Sequence, residues 1–124
     1  MKSFNSVIVI IAFFVTYCSS PTGPDNIENS VMVTNESGQI LIMNLSDNDI
    51  YFNAIEANMS ALVNWAPFYS KENQIKSNSS RIIDFTEIKY YPGSKLKSGD
   101  IIIIYYWEKS DSSTTEIHTK TVIL

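Results

Sequence analysis

The stretch Glu116-Ile117-His118-Thr119-Lys120 holds the single histidine of the chain. Any imidazole acting as a general base must therefore be His118. On a strand, Glu116 and His118 share a face, while Thr119, the neighbouring hydroxyl, points the other way. That trio does not assemble a nucleophile and its base, and His118 reads as a surface histidine. The only thiol, Cys18, sits near the N-terminus at the border of an apolar run, which takes thiol catalysis away from the rest of the chain. Zinc needs about four nitrogen, sulfur or oxygen ligands, and one histidine without a usable cysteine does not supply a usual set. Calcium needs only oxygens, and Asp47-Asn48-Asp49 offers some. The loop lacks the following glycine and the distal glutamate of a calcium-binding helix–loop–helix, so turn chemistry is the simpler reading. Thirteen carboxylates are present, yet no spacing singles out a pair suited to glycoside hydrolysis. The four glycines form no phosphate-cradling loop. The expectation is no catalytic residues, no metal and no cofactor, hence a protein that is not an enzyme. A small glycan hydrolase is the less favoured reading.

Aromatic residues give the chain its other chemical character. Trp65, Phe68 and Tyr69 surround Pro67 in "NWAPFYSKENQ", and Tyr90 and Tyr91 stand beside Pro92 in "KYYPG". Pro67 argues for a loop, because proline cannot donate to a central ladder. Aromatics in such loops stack on sugar rings or anchor protein partners. Trp65, Phe68, Tyr69, Tyr90 and Tyr91 are therefore the candidate ligand-binding residues. The competing reading has Trp65 capping a core and the tyrosines lining its ends.

The first residues carry an address. Lys2 precedes an apolar run over 7–15, "VIVIIAFFV". A positive start and an apolar stretch of roughly 7–15 residues are the layout of a secretory signal peptide, and the run is well short of the ~20 residues a spanning helix needs. The residues "VTYC", Val15 to Cys18, resemble a bacterial lipobox, with a branched apolar residue three before the cysteine. Tyr17 stands where that family usually has a small residue. The resemblance implies diacylation of Cys18 and cleavage just before it. A single cysteine agrees with this better than with a disulfide framework, which takes an even number. Residues 1–17 are then a signal peptide, and 18–30, rich in Ser, Pro, Gly and Asn, a lipidated cysteine and flexible tether. Several acyl chains hold a protein firmly, since each buried CH₂ adds about 0.8 kcal/mol.

Residues 31–124 must position whatever chemistry remains, and they suffice for one small domain. Short runs of Ile, Val, Tyr and Phe alternate with Asn, Asp, Ser and Gly, the pattern of an all-β domain. Strands are expected at 31–34, 39–44, 49–56, 61–65, 80–86, 100–108 and 115–123. "NESG" and "SDND" read as turns, and "YPGSKLKSG" as a longer crossing loop. Helix signals are poor, with one plausible stretch at 54–65. "DIIIIYYWE" is apolar on both faces, which marks a central strand, buried on one side and partly covered on the other. About seven strands in this length match a single immunoglobulin-like antiparallel β-sandwich, with a small barrel as the alternative. "LKSGDIIIIYYW" resembles the corner and following strand of fibronectin type III and related domains, a likeness of fold that implies no function.

A formal net charge of −4, one arginine and no Lys/Arg cluster exclude the basic footprint that nucleic acids require. The expected partners are a membrane, through acyl chains on Cys18, and an unidentified glycan or protein of the bacterial cell envelope. The expected place is the outer membrane or cell surface, with a secreted or periplasmic protein as the alternative. The functional expectation is a binding module, and the alternative is an inhibitor or assembly factor of an envelope enzyme.

Overall fold

The computed structural model describes residues 27–124; Cys18 and the expected signal peptide lie outside them. Seven strands form two antiparallel sheets. One turn of helix, α1 (Ile27–Ser30), leads into β1 (Val31–Glu36) and β2 (Gln39–Asn44). After β3 (Ile50–Glu56) come a second short helix, α2 (Ala57–Ser60), then β4 (Gln74–Ile75) and β5 (Ser79–Ile83). The chain ends with β6 (Ile101–Glu108) and β7 (His118–Ile123). The sheet orders are β1-β2-β5 and β4-β3-β6-β7.

The hairpin between β1 and β2 follows from its turn residues. Ser37 and Gly38 both take positive φ, 52° and 86°, the backbone of the two-residue turn that suits twisted strands. The Asn35 side chain accepts from the Gly38 N–H at 3.1 Å. Beyond the turn, "QILIMN" alternates, sending Ile40 and Ile42 inward. They meet Val31 and Ile83 of the same sheet, and Ile50, Phe52, Ala54, Ile102, Ile104 and Tyr106 of the other, in one core between the layers. Ile27 of α1 packs against that core, although it falls within the stretch read from the sequence as tether.

Asn44 closes the core at the end of β2. Fully buried, its amide donates to the carbonyls of Asn48 at 2.8 Å, Ile75 at 3.1 Å and Lys76 at 3.2 Å. Its side-chain oxygen accepts from Ser46 N–H and Oγ, at 3.1 and 2.7 Å. One side chain thus joins the two sheets and fixes the turn that crosses between them. Asp49 accepts from Gln74 Nε2 and Ser77 N, each at 2.9 Å, so it shapes the β4–β5 turn.

Two expectations need correction. Residues 61–65 form no strand. The Glu56 carboxylate accepts from the N–H groups of Asn58 (3.0 Å) and Met59 (3.1 Å), ending β3 by capping α2. The edge of β3 that a further strand would use is already occupied. β4 pairs with Ile50 and Tyr51, and Lys89 exchanges backbone bonds with Ala54 O and Glu56 N. The other correction concerns His118, whose side chain is only 14% exposed. Its ring stacks on Tyr106 with centroids 5.5 Å apart, and Nε2 lies 3.6 Å from Glu116 Oε1. It covers the end of the core instead of facing solvent.

Burial, with the nearby Glu28 charge as a smaller cause, pushes the Tyr106 phenol up to about 12. A phenol raised above its unfolded value near 10 binds its proton more tightly when folded. Its contribution is complete below pH ~10 and disappears as pH climbs toward ~12. Urea unfolding of the native protein should lose roughly 1–3 kcal/mol between pH 9 and 12 from this group, and Tyr106→Phe should flatten that part of the profile.

Candidate functional site

Strand β6 presents Ile102, Ile104 and Tyr106 to the core and Ile101, Ile103, Tyr105 and Trp107 to the opposite side. The outer face is therefore too apolar to leave to water. Residues 61–73 run across it as a strap. Trp65 meets Tyr105 edge-on, centroids 4.8 Å apart, and lies tilted over Trp107 at 5.5 Å. Phe68 approaches Trp107 edge-on at 6.0 Å. Beneath them Trp107 is fully buried. Tyr69 stands perpendicular to Tyr51, which is opposite Trp107 on β3, at 4.9 Å. Its hydroxyl is 3.2 Å from that of Thr115 in the β6–β7 connection.

The strap is pinned by a residue that sequence reasoning missed. Asn73, almost wholly buried, donates through Nδ2 to Phe52 O (3.2 Å) and Phe68 O (3.1 Å). Its oxygen accepts from Ser70 N (2.9 Å) and Ser70 Oγ (3.1 Å). The available signal was the spacing Ser70-x-x-Asn73, which imitates a capping box, and a reciprocal box does form over the single turn Lys71–Asn73. Below it, Arg81 lies over the Phe52 ring at 5.1 Å. Its guanidinium donates to Glu72 O and pairs with the Glu87 carboxylate.

The structure thus brings Trp65, Phe68 and Tyr69 onto one sheet face and distributes their exposure unequally. Trp65 is half-buried, whereas Phe68 and Tyr69 remain 41% and 42% exposed. The Lys89 ammonium sits over the Phe68 ring at 5.5 Å. A shallow groove of about 200 Å³ runs between Phe68 and β3. On its rim stands the Glu72 carboxylate, ionised at neutral pH. Tyr90 and Tyr91 do not join this cluster. Both exposed, they line another cleft of about 240 Å³ with Lys95, Lys97 and Glu56. Among the described residues, no group of three or more His, Cys, Asp or Glu side chains is placed to hold a metal ion.

No family model, curated protein or solved structure matches this chain.

The unequal exposure yields a stability test. Trp65→Ala uncovers Trp107 and should cost about 2–4 kcal/mol, near the range for aromatic truncation in a core. Phe68→Ala and Tyr69→Ala should each cost about 1 kcal/mol or less, the scale of an aromatic contact at a surface. Chemical denaturation of the three variants reads the difference directly.

Proposed function

We propose that this chain is an exported, lipid-anchored binding domain of the bacterial cell envelope. It holds the membrane through acyl chains on Cys18 and presents the Phe68–Tyr69 surface to a glycan or protein partner, without catalysis of its own. The observation that carries the reading is the strap: two aromatic rings remain about two-fifths exposed on a rigid face although their neighbour Trp65 is packed down. Anchors of this kind, large and apolar with a polar tip on Tyr, dominate recognition surfaces. The strand orders support an immunoglobulin-like sandwich, with the first, second and fifth strands facing the fourth, third, sixth and seventh. Such a fold carries no function by itself, so the site must.

Anchorage and surface fit together. From Cys18 to Ile27 an extended chain reaches at most about 30 Å, which keeps the domain near the membrane. Ile27 lies where β1 begins, at the end of the sandwich that also bears the β2–β3 and β6–β7 connections. The strap lies on a sheet face, so a membrane beneath that end leaves it open to the side.

Two measurements test the proposal. The intact mass of membrane-extracted protein should correspond to a chain starting at Cys18 with acyl groups, and Cys18→Ala should leave the protein unanchored. Cytosolic protein that keeps residues 1–17 would contradict the anchor. Phe68→Ala with Tyr69→Ala should reduce capture of envelope components at least tenfold, about 1.4 kcal/mol, while the fold is kept. Undiminished capture would remove the surface assignment.

A further inference from the structure

The groove beside Phe68 is lined by a residue whose amide donor the protein leaves unused. Asn53 occupies the outer face of β3, opposite Tyr105, and is only 4% exposed. Its Nδ2 has no hydrogen-bond partner among the described residues. Leaving a buried amide donor unpaired costs about 1–3 kcal/mol, and native proteins keep few such groups. Asn53 is among the residues that line the groove, with Phe52, Phe68, Glu72, Glu87 and Lys89. The Asn73 amide close by is fully engaged by backbone carbonyls. Among the described residues two buried side-chain donors are unpaired, Trp107 Nε1 and Asn53 Nδ2; Trp107 lies beneath the strap, whereas Asn53 borders this groove.

The surrounding groups narrow what that acceptor belongs to. A neutral amide calls for a hydroxyl or carbonyl oxygen. An apolar ligand would leave it unpaired, and a free anion would meet the Glu72 and Glu87 carboxylates on the rim. The Phe68 ring supplies an apolar platform, Lys89 a donor and the two glutamates acceptors. Donors and acceptors alternating around one aromatic ring match a molecule with an apolar C–H face and a hydroxylated edge. The volume, about 200 Å³, is below the ~300–1,000 Å³ of drug-sized sites and suits a single ring. We propose that this groove binds one neutral pyranose unit of an envelope glycan, its C–H face on Phe68 and a hydroxyl oxygen on the Asn53 amide. This rests on the binding-domain reading above and assigns the ligand class to that site.

The test uses the isotope-labelled full chain in detergent micelles, titrated with glucose, N-acetylglucosamine and, as an anionic control, glucuronate. The neutral sugars should shift the Asn53 side-chain amide and the Lys89 backbone amide, with dissociation constants in the millimolar range, weak as expected for one ring. Asn53→Leu keeps the volume and removes the donor; it should weaken sugar binding about tenfold or more while the other resonances keep their positions. Silence of the Asn53 amide toward every sugar up to about 100 mM, roughly −1.4 kcal/mol, would overturn the proposal. So would equal affinity in Asn53→Leu, or a preference for glucuronate. If envelope capture still depends on Phe68 and Tyr69 in that event, the binding-domain reading stands and only the sugar assignment falls.

Discussion

Covering the second face of β6 is the demand that organises this domain. An eight-residue strand with isoleucine, tyrosine and tryptophan pointing both ways cannot lie at the surface of a two-layer fold. The three-stranded sheet covers Ile102, Ile104 and Tyr106. Nothing in a two-layer arrangement covers Trp107, so the β3–β4 connection is drawn over it. That explains a connection far longer than a hairpin needs, and why Trp65 is packed down while Phe68 and Tyr69, further along, are not. The outer face of the three-stranded sheet makes the contrast. Leu41, Met43 and Ile82 face outward there across the pleat, with Ile82 well exposed, and the described chain lays no such aromatic strap over them. The aromatic surface is a by-product of burial, and its edge at Phe68 and Tyr69 stays exposed.

Asparagine does much of the fastening. Asn44 joins the two sheets, Asn73 ties the strap to β3, and Asn35 reaches across the layers to the carbonyl of Ile123 at 3.0 Å. Each works because an amide both donates and accepts, so one side chain satisfies several backbone groups that no strand reaches. Along β3 this is explicit: β4 serves one end, Lys89 the other, and the Asn73 amide takes the Phe52 carbonyl between them. An edge that could recruit foreign strands is thereby closed. Against this background Asn53, whose Nδ2 is unpaired, is the exception among the buried asparagines.

What could be read from the sequence follows the range of each signal. The β1–β2 hairpin was legible because its turn and alternation are local, and β6 because two apolar faces mark an interior strand wherever it lies. Residues 61–65 misled because β propensity measures fit to a pleated, half-buried surface, which Trp65 finds by lying across a sheet instead of joining one. β4 was invisible, being two residues long and opened by a glutamine. His118 looked exposed because alternation does not reveal that its partner across the ladder is the buried Tyr106. The aromatics around Pro67 were identified and do gather, whereas Tyr90 and Tyr91, similar in composition, lie on another cleft. Asn53 and Asn73 carried no usable message in isolation, since whether an amide is satisfied is decided by tertiary neighbours.

The account stands on the claim that the strap exists to seal Trp107. Hydrogen exchange of the Trp107 indole proton in the native protein addresses it most directly. With the strap in place, that proton should exchange only through openings nearly as costly as global unfolding. Removing the Trp65 ring should speed its exchange selectively, while the amides of β3 and β6 stay protected. A freely exchanging indole in the native protein, or one indifferent to Trp65, would contradict the account.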